Sequence, residues 1–203
     1  MPFPLLIAFV LLALPAQAQP APQPAPAGLY VADPAHTSVL WRIRHFGLSN
    51  YTARFTRVSA KLDWRPNEPK ASKLAVHIDP ASVRTDFPFP EKEDFDKKIG
   101  SDAAFLANTP ISFMSESIVL TGKTTGRVMG KLTFRGQTHP ATLDVTFNGS
   151  MASHPMEKVA KLGFSAKTRI RRSEWGLDFA LGALSDEIEV AVETELMPET
   201  EAR

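Results

Sequence analysis

The stretch SVLWRIRHF, Ser38 to Phe46, sets the reading of the whole chain. In it Val39, Trp41, Ile43 and His45 fall on one side of an extended backbone, while Ser38, Arg42 and Arg44 fall on the other with Leu40 and Phe46. Successive side chains of a strand point to opposite faces, so the alternation describes a strand with one side turned inward.

The same period recurs outward from there. Tyr51, Ala53 and Phe55 alternate with Thr52, Arg54 and Thr56, and Val58, Ala60, Leu62 and Trp64 alternate with Arg57, Ser59, Lys61 and Asp63. The phase changes between Phe55 and Val58, as a β-bulge in a long bent strand requires. Leu74, Val76 and Ile78 repeat the pattern, as do Val128, Gly130, Leu132 and Phe134, then Ala141, Leu143, Val145 and Phe147. Leu162, Phe164, Ala166 and Ile170 follow against Lys161, Lys167, Arg169 and Arg171, and Ile188, Val190, Val192 and Leu196 close the series. Turn signals separate the runs at Arg65-Pro66-Asn67, at Leu120 to Gly126, at Arg135-Gly136-Gln137 and at Asn148-Gly149, the last read as a two-residue hairpin.

About eight antiparallel strands follow from this pattern. Only Ala81 to Pro110 breaks the alternation, and it is read as a short helical excursion outside the sheet. An all-β chain of this kind closes best as a barrel or a sandwich. The inward mixture of large side chains (Trp41, Phe55, Trp64, Phe134, Phe147, Phe164) and small ones (Ala53, Ala60, Gly130, Ala141, Ala166) leans toward an eight-stranded antiparallel barrel. It suits a filled taper and an elongated apolar slot equally.

Before the strands, an uncharged segment carries an apolar run from Phe3 to Leu14 and ends in Ala16-Gln17-Ala18. Residues 1–18 read as a signal peptide cut after Ala18, since the apolar run is shorter than the roughly 20 residues a bilayer span needs. Gln19 to Gly28 form a Pro/Ala leader that cannot build a core, and residues 29–199 are left as one domain. A periplasmic or secreted location is expected. The chain has no cysteine, which excludes disulfides and thiol chemistry. With 23 Lys and Arg against 22 Asp and Glu, the net charge of +1 gives no electrostatic case for nucleic acid.

Enzyme signatures are mostly missing. Gly122-Lys123-Thr124 resembles the end of a phosphate-binding loop, but Ser117 stands where its first Gly is required, and the segment reads as a hairpin turn. No nucleophile elbow or dinucleotide-type Gly triplet occurs, and the five histidines show no metal-ligand spacing. No catalytic, metal or cofactor residue is assigned. His45 is placed inward by its alternation and needs a ligand head group, a water or a carbonyl there. Arg172, in the run TRIRRSEWGLDF from Thr168, is the candidate for an amphiphile's polar head, with a loop tie to Asp86, Asp178 or Glu174 as the plainer alternative.

Read in order, these segments resemble a known family. Asp33-Pro34-Ala35-His36-Thr37-Ser38, Ile43-Arg44-His45-Phe46-Gly47, the run from Gly130 to Pro140 (GKLTFRGQTHP), Arg172-Ser173-Glu174-Trp175-Gly176-Leu177 and Leu184-Ser185-Asp186-Glu187-Ile188 together are similar to the YceI-like bacterial exported proteins. The resemblance implies a lipocalin-like barrel with no established catalysis that binds a polyisoprenoid or similar amphiphile inside. Members usually carry Arg-Asp-x-His-Leu and then Phe-Phe-Asp in the helical excursion. This chain has Phe95-Asp96-Lys97-Lys98-Ile99-Gly100-Ser101 and then Ala104-Phe105-Leu106.

The leading expectation is therefore a lipid carrier. Its apolar tail site comprises Trp41, Ile43, Phe55, Val76, Phe113, Leu132, Phe134, Leu143 and Phe164, and His45 and Arg172 meet the head. The ligand classes are an isoprenoid quinone, a polyprenyl chain or a fatty-acyl amphiphile; transient membrane contact and a homodimer stay open. Two rivals are kept: a hydrolase or isomerase of hydrophobic substrates with His45 as base and Arg172 as stabiliser, and a solid-barrelled structural protein of stress response.

Overall fold

A computed structural model describes residues 24–202. The signal-peptide reading and the leader as far as residue 23 lie outside the described residues. Ten strands form one antiparallel sheet: β1 (Gly28–His45), β2 (Ser49–Phe55), β3 (Val58–Trp64), β4 (Lys73–Ile78), β5 (Val83–Arg84), β6 (Ile111–Leu120), β7 (Thr125–Phe134), β8 (Gln137–Met151), β9 (Lys161–Arg171) and β10 (Leu184–Pro198). β10 pairs back onto β1 and closes the sheet. β2 and β3 both run antiparallel to β1, one along each half of it, and act as a single bent stave. The two-residue β5 adds to the edge of β2. What remains is an eight-staved lipocalin-like barrel. Closure removes the exposed sheet edges that an open arrangement would leave.

Phase changes keep the apolar faces inward around the bends. On β1, Ala32 pairs with Leu196 and Thr37 with Thr194, so Asp33 to His36 bulge out of the ladder. The inward set moves from Tyr30 and Ala32 to Val39, Trp41 and Ile43. Across the ladder, the break at Thr56-Arg57 makes the same change on the neighbouring stave. A one-residue slip would turn a whole apolar set to water, so the two facing irregularities compensate each other. A third lies on β6, between Ser115 and Ser117. Its backbone presses on Gly130, where a Cβ would overlap the Met114 carbonyl oxygen.

The turns follow the sequence signals with one correction. Arg135 and Gly136 join β7 to β8 with φ of 49° and 75°, the left-handed pair that a two-residue hairpin uses. Asn148-Gly149 is no hairpin. β8 runs through it to Met151, with a register shift against β9 between Phe147 and Gly149 and a φ of 144° at Gly149. The glycine serves a bulge here, and the connection falls beyond it at residues 152–160. Gly122-Lys123-Thr124 lies in the β6–β7 turn, closed by N–H donation from Thr121 and Gly122 to the Thr125 carbonyl.

The helical excursion contains one α-helix, α1 (Phe95–Ser101), whose first turn is capped by the Asp94 carboxylate accepting from Lys97 N–H. Asp96 accepts from both the N–H and the hydroxyl of Thr85 at 2.7 and 2.6 Å, tying the helix to the chain just after β5. Ile99 and Leu106 are buried with Phe134, Trp175 and Leu177, so the excursion covers one end of the barrel. At the opposite end Tyr30, Leu62, Leu162 and Leu196 pack together, joined by Ala25 of the Pro/Ala leader.

Candidate functional site

The barrel is hollow. A cavity of about 900 Å³ runs along its axis, with walls drawn from every stave. Ligand sites of roughly 300–1,000 Å³ hold molecules of small-lipid size, so this one is large for its class. This volume speaks against the solid-barrel rival. Trp41 and Ile43 of β1, Phe55 of β2, Val76 of β4, Phe113 of β6, Leu132 and Phe134 of β7, Leu143 of β8 and Phe164 of β9 all stand on the wall. Strand parity is the physical reason: a residue two positions from a wall residue on a regular strand is also on the wall. Parity misses the stretch after the β6 bulge, where Ile118 and Leu120 take over the inward positions.

The wall holds few polar atoms. Two of them are indole N–H groups, on Trp41 and Trp64, which are shielded from water and have no acceptor among the described residues. The third tryptophan differs: Trp175 is 1% exposed and donates to the Leu132 carbonyl at 3.3 Å. Trp64 instead packs against Phe147 and Phe164, with ring centroids 5.3 and 5.8 Å away.

The two polar-head candidates occupy different settings. Arg172 is 2% exposed and sits in the 3-10 turn Arg172–Trp175 at the helix-covered end. Its Nε donates to Ser185 O at 2.8 Å, its Nη1 to Leu177 O and Phe179 O at 2.9 and 2.7 Å, and its Nη2 to Leu184 O at 3.3 Å. The guanidinium thus laces the loop between β9 and β10 to itself, through backbone carbonyls rather than the acids Asp86, Asp178 or Glu174. With four carbonyls on its donors it ties the loop, and it also stands on the cavity wall, as the head-group reading requires. His45 does face the cavity, but it is the last residue of β1 and is exposed, packed edge-on against Phe46 at 4.7 Å. Solvent reaches its imidazole, so no buried partner is required.

Two further polar devices were not legible in the sequence. Arg135, in the β7–β8 turn, donates to the carbonyls of Ala103, Phe105 and Trp175 and fastens the end of the helical excursion to the barrel. At the other end, Lys161 is 4% exposed although strand alternation puts it on the outer, wet face. The bulge at Asp33 to His36 covers it, and its ammonium lies 2.6 Å from the Asp33 carboxylate and 2.8 Å from Glu157. Burial pushes the Asp33 carboxyl up, but the bonds from Lys161, His36 and the Ala35 N–H outweigh it and hold the group at about 2. His36, 2.8 Å from the same carboxylate, is raised by that hydrogen bond. Asp33, His36 and Glu195 lie close enough together to share a cation, and the Lys161 ammonium already takes up that charge. The available sign was Pro34 within Asp33-Pro34-Ala35-His36, since a proline marks a bulge or an edge in a ladder; nothing pointed to Lys161.

Among the described residues no serine or threonine hydroxyl is hydrogen-bonded to a histidine. The chemistry of the site is apolar enclosure.

Comparison with known proteins agrees with this geometry. A UPF0312 protein of Pseudomonas fluorescens (strain SBW25) is 32% identical over 146 residues, 70% of this chain and 71% of that one. The Campylobacter jejuni YceI protein superposes with a TM-score of 0.64 at 26% identity, covering 77% of this chain and 90% of that one. A polyisoprenoid binding domain from Saccharophagus degradans shares the fold at 13% identity and a TM-score of 0.56, covering 83% and 98%. The family model of the YceI-like domain matches residues 30–196, from the first barrel strand to the last. The chain belongs to the YceI-like family.

Proposed function

We propose that this protein is an exported carrier that holds one long-chain amphiphile, of the polyisoprenoid or fatty-acyl class, inside its barrel. The observation that carries the reading is the continuous apolar cavity of about 900 Å³ in a closed barrel. Removing apolar surface from water supplies the affinity, at roughly 25 cal/mol per Å² before the costs of association. The name of the Saccharophagus degradans domain supports the ligand class. Isoprenoid quinones are candidates because their long tail matches the wall and their ring can sit beside the exposed His45 at the helix-covered end. A location in the periplasm or outside the cell accords with the uncharged apolar amino-terminal run and the missing cysteines.

Holding rather than transforming the ligand is favoured by the state of the two residues a reaction would need. Arg172 has its donors on carbonyls, and His45 stands in solvent without an orienting acid among the described residues. A general base needs a group that orients it and a proton within reach. Mass spectrometry of an organic extract from the purified protein tests the reading. A co-purifying isoprenoid or acyl amphiphile is expected, as is uptake of an added isoprenoid quinone. Repeated absence of both overturns it.

A further inference from the structure

At the helix-covered end, two loops carry large apolar side chains out into solvent. The β1–β2 turn presents Phe46 and Leu48, 62% and 88% exposed, and the loop before β10 presents Phe179 and Leu181, 49% and 45% exposed. The loops are joined: Phe46 N–H donates to Ala183 O at 2.7 Å. Apart from Asp178, neither the run from Phe46 to Asn50 nor that from Asp178 to Ala183 contains a charged residue. Single exposed apolar side chains need no explanation, but four on two linked loops form a contiguous patch of the kind that meets another apolar phase.

This patch is continuous with the interior. Phe46, Phe179 and Ala180 belong at once to the exposed loops and to the cavity wall, and Phe179 meets Phe105 of the helical excursion edge-to-face, with ring centroids 5.1 Å apart. Running back from the patch, the outer face of β1 and β2 carries Arg44, Arg42 and Arg54, and Arg84 of β5 stands directly opposite Arg54. Arg42 pairs with Glu189 at 3.0 Å and Arg84 lies 3.9 Å from Asp96, whereas Arg44 and Arg54 form no ion pair among the described residues. Like charges set opposite each other across a ladder repel, and an anionic surface relieves that repulsion.

We infer that this lip docks on an anionic phospholipid surface, with Phe46, Leu48, Phe179 and Leu181 entering the interfacial region and the arginine face lying against the headgroups. The inference rests on the carrier reading and extends it: the apolar chain of a ligand passes between bilayer and cavity along Phe46 and Phe179 without crossing open water. Apolar insertion combined with a modest number of cations gives reversible, salt-sensitive binding rather than permanent anchoring.

Co-flotation of the purified protein with vesicles tests it, using phosphatidylcholine alone and phosphatidylcholine mixed with phosphatidylglycerol. The protein should float with the mixed vesicles and less so at high salt. Combining Leu48→Asp with Leu181→Ser, both exposed and neither on the cavity wall, should lower partitioning by roughly tenfold or more. The same variant should still take up a fluorescent fatty acid from dilute solution. Arg44→Gln should weaken flotation severalfold on the mixed vesicles only. Failure of the unaltered protein to float, or equal flotation of the double variant, overturns the inference. So does sedimentation showing a dimer that Leu48→Asp disperses, because the lip then belongs to a second copy. If the unaltered protein takes up neither a fluorescent fatty acid nor an isoprenoid quinone from solution and carries no co-purifying amphiphile, the carrier reading itself fails, whatever the vesicles show.

Discussion

At the end where the leader docks, Ala25, Tyr30, Leu162 and Leu196 pack into an apolar plug, and the buried Asp33–Lys161 pair clamps the bulge of β1 to the start of β9. At the end under α1, Arg135 and Arg172 hold the covering segments by donating to backbone carbonyls, and the loops they hold expose Phe46, Leu48, Phe179 and Leu181. Both ends use a cation, but the first opposes it to a buried carboxylate and the second to neutral dipoles. A charge pair shielded from water resists opening, because separating it strands a charge. Carbonyls of a surface loop can trade a guanidinium for water at lower cost. The two ends therefore differ in what opposes the buried cation, a carboxylate at the leader end and neutral dipoles at the lip.

The largest effect should come from the clamp. Asp33→Ala leaves Lys161 buried without its closest counter-ion and should lower unfolding free energy by about 3–5 kcal/mol in a denaturant titration. Asp33→Ala combined with Lys161→Met should recover much of it. A loss under about 1 kcal/mol for the single change would remove the contrast between the ends.

The clamp should also show in pH. An Asp held at about 2 against roughly 3.9 in the unfolded chain contributes stability above the unfolded value, which is lost as pH falls through the folded one. For Asp33 that amounts to about 2–3 kcal/mol disappearing between roughly pH 5 and pH 2. His36 works in the opposite sense. Its folded pKa is raised, so its contribution is complete below the unfolded value near 6.5 and fades as pH rises through the raised value. The clamp is thus tightest between roughly pH 4 and 6.5, and thermal melts across that range should peak there. A melting temperature that stays level from pH 5 down to pH 2 would contradict the assignment.

Arg172→Lys tests the other end. An ammonium cannot span the same four carbonyls, so a loss of about 1–3 kcal/mol is expected, with quinone uptake preserved. Unchanged stability with weakened binding of an anionic amphiphile would instead support the head-group role for Arg172. Smallest of all should be the effect of filling the space between the ends. Ala166 stands on the cavity wall, whereas Ala53 is 6% exposed and packed among Val39, Phe55 and Val83. Ala53→Trp should cost about 1–3 kcal/mol by overpacking, while Ala166→Trp should stay below about 1 kcal/mol and reduce ligand capacity instead. Equal losses from the two would argue that the cavity closes in solution.

Much of the wall was legible because strand parity is a local rule. From Val39 to Ile43, and again along β7 and β8, alternate residues could be assigned inward without knowledge of their neighbours. Parity gives direction but not depth. His45 faces inward as its position demands, yet the strand ends there and the side chain is wet. Asn148-Gly149 shows the same limit for turns, since a glycine suited to positive φ serves a bulge as readily as a hairpin.

Alternation and turn residues by themselves determined an antiparallel all-β chain, its inward apolar faces and the absence of thiol chemistry, because each of these depends on residues adjacent along the chain. Only the tertiary structure decided that the barrel is hollow, since volume depends on how eight staves space one another. It also decided that Lys161 is buried, that Arg172 holds carbonyls, and that Phe46 and Phe179 share one lip. Two of those facts join residues more than a hundred positions apart, Asp33 with Lys161 and Phe46 with Ala183, and no periodicity in a sequence encodes such a meeting.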